Sequence, residues 1–304
     1  MEFCVVSAEA GSRKDAERFY RHIRRKFTAL HRDKSGYSLR FVTDGSVVQA
    51  VFEGDTTSYS FAKRSIAIRE KLSLAIAEYI VSEREPGIVR RLIIREYDFP
   101  EEEDRRHIEQ SALSLLNPNE EEVRERRIGQ LAQHIRKFLE EHQELHIDGL
   151  IAFRMQEYTQ QLRETVDYVV DEYLLDKQYE EFIGLLKYFV HFQESQIDVV
   201  NLMHTGGSDF AIFDGQMLPL KAAAAEGVIA RIADHELELE DVIVSSLISL
   251  SPGRIIIHTR DPEVQIISTI RQIFGERTQL CEDCPRCKAF LDGSRKRGKS
   301  ALNK

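Results

Sequence analysis

Cysteine is scarce: the chain has four in 304 residues, three of them crowded into residues 281–287. A secreted fold stapled by disulfides spreads its cysteines along the chain, so this pattern argues against that class and for a reducing compartment. Long apolar runs are missing as well. No stretch approaches the ~18 consecutive apolar residues that a membrane-spanning helix needs. The densest one, residues 182–192, is interrupted by Lys187 and His191. The opening Met1-Glu2-Phe3-Cys4-Val5-Val6 lacks a basic leader and reads as a strand, not a signal peptide. The expectation is a cytoplasmic protein with no transmembrane segment. Two catalytic patterns are also missing. There is no Gly-x-Ser-x-Gly and no Glu-x-x-His pair, so neither a nucleophile elbow nor a ferritin-like di-iron bundle is supported.

Positive charge is in deficit, with 42 Lys+Arg against 51 Asp+Glu for a net charge of −9, which excludes a uniformly basic nucleic-acid binder. The charge is segregated, however. Residues 1–40 carry ten basic and five acidic residues, residues 288–304 carry six and one, and the body between carries 26 and 45. The N-terminal basic surface comprises Arg18, Arg21, Arg24, Arg25 and Lys26, with His22 and His31 nearby. It could contact phosphates or an anionic membrane surface, or pair with the protein's own acidic body.

The hydrophobic share of 42% and the length suit about two domains with ordinary cores. The predicted fold class is α+β. Residues 1–62 read as a β-α-β-β unit. Ser12 is a helix N-cap with Asp15 in the capping-box position. Phe19, Ile23, Phe27 and Leu30 form one helical face, and Asp44-Gly45 is a hairpin turn. Residues 63–195 read as helical, with Pro86-Gly87 as punctuation. Within them, residues 179–192 are apolar on most sides and are expected at the centre of a bundle. Residues 196–287 return to strands: a three-stranded meander ending at 217–220, helices at 222–233 and 240–250, and the β-branched run Ile255-Ile256-Ile257-His258 as a buried strand. A last helix after Pro262 and a strand at 278–280 precede the cysteines. Residues 288–304 read as a basic, disordered tail. Whether the first and last parts share one sheet is open.

Cys281-x2-Cys284-x2-Cys287 is the most specific chemical signal, because thiolates at this spacing can converge on one metal. Zinc is favoured over an iron–sulfur cluster. A tetrahedral site needs a fourth ligand, and Cys4, His258 or a residue of a second chain are the candidates. Gly293-x4-Gly298-Lys299-Ser300 matches the phosphate-loop letters but has no strand before it and no room for a helix after it, so it reads as a cationic tail. His142 and His146 stand one helical turn apart if the helix continues through them, in the wrong order for a zinc protease. Asp167, Asp171, Glu172, Asp176, Glu180 and Glu181 make an acidic series that suits a solvated face better than acid–base work.

The helical centre carries a family resemblance. The stretches Ile147-Asp148-Gly149-Leu150-Ile151-Ala152-Phe153-Arg154, Val166-Asp167-Tyr168-Val169-Val170-Asp171-Glu172 and Tyr179-Glu180-Glu181-Phe182-Ile183-Gly184-Leu185-Leu186-Lys187-Tyr188-Phe189-Val190 are its core. Glu240-Asp241-Val242-Ile243-Val244-Ser245 and Pro252-Gly253-Arg254-Ile255-Ile256-Ile257-His258 extend it, and the cysteine triplet looks similar to the family's ending. Over residues 105–287 the chain resembles the YtxC-like family of sporulation proteins. It departs at Gln178, where the family pattern has a second acidic residue. The resemblance implies a link to sporulation and supplies no reaction. The expected function is therefore a non-enzymatic interaction or regulatory protein with a protein partner. One alternative is an enzyme using His258 with Asp209, Asp214 or Asp241. The other is a zinc-containing nucleic-acid binder using the triplet and the basic ends.

Overall fold

The computed structural model describes residues 1–27, 37–54, 59–118, 120–206, 209–220, 239–281, 284, 285 and 287. It is α+β, as the sequence predicts, and divides into two compact units, Met1–Leu174 and Leu175–Lys304. Among the described residues the two ends do not share a sheet: the strands form two four-stranded sheets.

In the first unit, β1 (Glu2–Glu9) leads to α1 (Arg13–Phe27). The Ser12 hydroxyl oxygen accepts from the Asp15 amide at 3.2 Å and donates to the Asp15 carboxylate at 2.8 Å. This is the N-cap read from sequence, with the short Asp bonding the hydroxyl where a Glu would reach the cap amide. The hairpin β2 (Tyr37–Asp44) and β3 (Val47–Gly54) turns at Gly45, whose φ is +57°, a left-handed value that glycine adopts without cost. β3 pairs with β1, and a short strand, β4 (Glu144–His146), adds to β1 in parallel.

The helices are α2 (Tyr59–Tyr79), α3 (Glu85–Glu96), α4 (Glu102–Leu116), α5 (Glu121–Glu141), α6 (Ile147–Arg154) and the 37-residue α7 (Gln156–Phe192). Pro86-Gly87 does not punctuate as expected. A π-turn at Ile80–Arg84 joins α2 to α3, and Pro86 sits at the start of α3, where its missing N–H costs nothing. The core of this unit runs from Phe19, Ile23 and Phe52 through Ile76, Ile108 and Ile135 to Leu162 and Val169.

The second unit holds the end of α7, then β5 (Ile197–Gly206), β6 (Asp209–Asp214), α8 (Leu239–Leu250), β7 (Pro252–His258), α9 (Gln265–Phe274) and β8 (Thr278–Cys281). The sheet order is β6-β5-β7-β8. β5, β7 and β8 are parallel and β6 is antiparallel. The third strand expected at 217–220 is reduced to one bridge, Phe213 to Pro219. Val200, Leu202, Ile255 and Ile257 point to one face and pack on Ile243 and Leu247 of α8, Ile266 and Ile270 of α9, and Ile183 and Val190 of α7. Gly253 lets β7 approach its neighbours closely, because a Cβ there would lie a tight 3.0 Å from the Ser195 hydroxyl and 3.1 Å from the Asp198 carbonyl.

Residues 179–192 do not sit at the centre of a bundle. Ile183 and Val190 are buried, but Phe182, Leu185, Tyr188, Phe189 and Phe192 face outward. The helix expected at 222–233, together with Leu30, His31, the phosphate-loop letters and the tail at 288–304, falls outside the described residues.

Candidate metal centre

In a β-sheet, residues paired across neighbouring strands point to the same face, and successive residues alternate. Met203 pairs with His258, and His258 pairs with Cys281. These three side chains therefore form a row across β5, β7 and β8, on the face opposite Ile255 and Ile257. The row lies at the carboxyl ends of three parallel strands. Cys284 and Cys287, shortly after β8 in the sequence, lie at the same place.

His258, Cys281, Cys284 and Cys287 each offer one ligand atom, and all four atoms lie within 4.8 Å of one another. The group could hold a metal ion. His258 is 3% exposed and Cys287 1% exposed, while Cys281 and Cys284 are half-buried and all four cysteines of the chain are free thiols. The Cys284 amide donates to the Cys287 sulfur at 2.9 Å, and the Cys287 amide donates to the Cys284 sulfur at 3.4 Å. Backbone donors aimed at sulfur favour the thiolate, the form that binds metal.

The imidazole is oriented by a second side chain. Asn201, 2% exposed, donates from its Nδ2 to the Asp214 carbonyl at 2.8 Å. That bond leaves its Oδ1 facing His258 Nε2 at 3.0 Å. An amide oxygen accepts only, so Nε2 carries a proton, and in the neutral imidazole Nδ1 then keeps its lone pair. Nδ1 lies 3.7 Å from the Cys284 sulfur. Tetrahedral ligands at about 2.0–2.3 Å from one ion stand roughly 3.5–3.8 Å apart, so this separation matches an edge of such a site. Met203, Ala211, Phe213 and Met217 pack around the cysteines and make a low-dielectric wall.

Without a cation, the close-packed sulfurs cannot ionise together. Burial, then the hydrogen bond and charge of Cys284 and the proximity of Cys287, push the Cys281 thiol up to about 12. A bound cation reverses this balance and makes the ligands thiolates.

Cys4, the other fourth-ligand candidate, lies on β1 in the core of the first unit. It is 1% exposed, and burial pushes its thiol up to about 11. It is an inert packing thiol. Two of the carboxylates considered as partners of His258 are engaged elsewhere or exposed. Asp214 Oδ1 accepts from the Gln216 and Leu218 amides at 2.8 Å each, holding its own turn. Asp241 is exposed on α8, and Asp209 opens β6.

The other sequence candidates are also placed. His142 ends α5 in extended conformation and stacks on Phe138, with ring centroids 4.1 Å apart. His146 ends β4 and caps α6, its Nδ1 accepting from the Gly149 amide at 3.1 Å. A strand thus separates the two imidazoles, and they do not share a helical face. On the basic helix α1, Arg18 pairs with Glu83 at 3.0 Å and Lys26 with Glu78 at 2.6 Å. Arg24 lies over the Phe41 ring at 5.3 Å, and Arg21 and Arg25 are exposed. Asp167 accepts from the Tyr97 hydroxyl, and Asp171, Glu172, Asp176, Glu180 and Glu181 are exposed on α7. Asn201 was missed by sequence reasoning. A single amide inside the apolar run Val199-Val200-Asn201-Leu202-Met203 needs a partner when buried, and that was the available signal.

The fold and the site define a two-unit α+β protein with a Cys3His donor set. The profile of the YtxC-like family matches residues 70–279, more than half of the chain, and the chain belongs to that family. It is 21% identical over 224 residues, covering 72% of this chain and 79% of the relative, to a Bacillus subtilis (strain 168) protein described as "Uncharacterized protein YtxC". No solved structure matches the chain. The matched region includes His258 and Asn201 and stops two residues before Cys281. Among the described residues no helix is long and apolar enough to cross a membrane.

Proposed function

We propose that the chain is a cytoplasmic, non-enzymatic interaction or regulatory protein of sporulation, with a protein as its partner. Its second unit is held together by a structural zinc ion. The observation that carries the zinc reading is the set of four protein donors, one imidazole and three thiols, within 4.8 Å of one another. Four protein ligands fill a tetrahedral shell and leave no open position for water or substrate, which is how structural zinc sites differ from catalytic ones. Soft thiolates with one imidazole suit zinc. In a 4Fe–4S cluster each cysteine binds a different iron, so the sulfurs stand further apart than the ligands of one ion. The sporulation link rests on family membership and on the resemblance that runs through α7 and β7.

Elemental analysis of protein purified without an affinity tag tests the site. The expected result is about one zinc per chain, lost in Cys284→Ser and in His258→Ala and kept in Cys4→Ala. Folded protein containing no metal, or containing iron with sulfide, overturns it. Normal spore yield after deletion of the gene would reject the sporulation role. Asn201→Leu removes the acceptor that fixes the imidazole tautomer, and loss of such an orienting contact weakens metal affinity by about 10–100-fold. Competition with a chromophoric chelator measures this. An unchanged affinity would mean that Asn201 merely fills space.

A further inference from the structure

The end of α7 carries an apolar surface that the described residues of its own unit do not cover. Leu175, Phe182, Leu185, Tyr188, Phe189 and Phe192 are between 53% and 68% exposed. Monomeric soluble proteins rarely leave so many large apolar side chains together on one surface. Ile183 and Val190, on the neighbouring face of the same helix, are buried against the sheet. The helix is thus anchored by one face and presents another. Leu185, Tyr188, Phe189 and Phe192 lie side by side on this open surface, and the Tyr188 and Phe192 rings pack at 4.6 Å.

The spacing of these residues identifies the kind of surface. Leu175, Phe182 and Phe189 recur every seven residues. Gln178, Leu185 and Phe192 recur at the same interval, three residues later. This is the a/d pattern of a seam between two helices, whose 3.5-residue period keeps the stripe facing a partner helix. The 18 residues span about 27 Å at 1.5 Å per residue, and no charged side chain interrupts the a and d positions along them. The polar side of this stretch is mainly acidic, with Asp176, Glu180 and Glu181 against Lys177 and Lys187. That argues against an anionic membrane, which attracts basic amphipathic helices.

We propose that this stripe is a self-association surface and that its occupant is the same stripe of a second copy of the chain, in an isologous dimer. Two identical seams free of charge meet with nothing to repel them, and a two-fold axis makes one patch serve both sides. The area agrees. With roughly 150–250 Å² on a full aromatic side chain, the six residues expose on the order of 600–800 Å², close to the per-partner area of a standard interface. The surface uses none of the metal ligands, so the dimer and the zinc centre stand or fall separately.

Light scattering on the eluting full-length protein across a range of micromolar concentrations tests this. The expected mass is twice the chain's 35.1 kDa. Phe182→Glu and Phe189→Glu are each expected to weaken the dimer by at least about 30-fold, the effect of a central apolar anchor, with helical content unchanged. Ile94→Glu, an exposed apolar position on α3, should leave the dimer intact. A monomeric wild type overturns the proposal. So does a dimer indifferent to both phenylalanine substitutions, or one that dissociates on chelation and is therefore bridged by metal. A wild-type monomer that floats with neutral or anionic phosphatidylglycerol vesicles would reassign the stripe to a lipid surface.

Discussion

Chelation is expected to lower the melting temperature of the second unit by on the order of 10 °C, and to leave the first unit's transition in place. Binding that is confined to the folded state stabilises by RT ln(1 + [L]/Kd), about 4 kcal/mol when free zinc is 1,000-fold above Kd. For a unit of this size each kcal/mol moves the midpoint by roughly 2–8 °C. The effect should be confined because the ligands sit on β7, on β8 and just beyond it, whereas the core of the first unit contains no ligand. The pH dependence should reverse between the two forms. Without metal, the Cys281 thiol is raised from 9.0 to about 12, so its protonated form favours the fold. That contribution is whole below pH 9 and is lost as pH climbs toward 12. With zinc bound the ligands must be thiolates, protons compete with the ion, and stability is lost as pH falls. Calorimetry with and without chelator across pH 5–10 reads both slopes. Two transitions that shift together, or identical pH slopes, would contradict a site built into the second unit.

The candidate metal centre was partly legible in the sequence, for a reason visible in β7. Three consecutive isoleucines before His258 announce a strand covered on both faces. Alternation then puts His258 opposite Ile255 and Ile257, whichever face carries the core. What could not be read was which side of β5 mattered. Period-two spacing puts Val200, Leu202 and His204 on one face, yet Asn201 and Met203 on the other face touch the site. His204 instead binds the Thr259 hydroxyl at 2.8 Å and stacks on Phe210. When both faces of a strand are occupied, period-two patterning does not say which is the core. The three-residue β4 was hidden for another reason. His142-Gln143-Glu144-Leu145-His146 continues a helical composition, and only pairing with β1 makes it extended, a tertiary effect that overrides local preference. The apolar arc at the end of α7 is wider than the described residues of its own unit bury, and composition alone does not distinguish a central helix from one awaiting a partner.

Arg127→Met is expected to destabilise the first unit by about 3–5 kcal/mol, because it leaves a buried carboxylate without its counter-charge. Glu85 is fully buried at the start of α3, immediately after the π-turn. Its Oε1 accepts from Asn117 at 2.8 Å and from Arg127 at 3.0 Å. Its Oε2 accepts from the Tyr158 hydroxyl at 2.6 Å and from the other Arg127 nitrogen. One side chain thus ties α3 to the end of α4, to α5 and to α7, and the Arg127 guanidinium also lies 5.7 Å above the Tyr158 ring. Burial, with Glu85 alongside, holds the Tyr158 hydroxyl far above its ordinary pKa, so it stays a donor at every working pH. Breaking such a pair costs more than replacing it. Glu85→Leu with Arg127→Met removes both charges, so the double variant should be more stable than Arg127→Met alone, short of wild type by the unmet donors of Tyr158 and Asn117 at about 1–3 kcal/mol each. Urea denaturation reads the cycle, and the single variant should lose more than about 1 M in midpoint. Additive single-variant costs would show that Glu85 and Arg127 act independently, and that this junction is held by apolar packing alone.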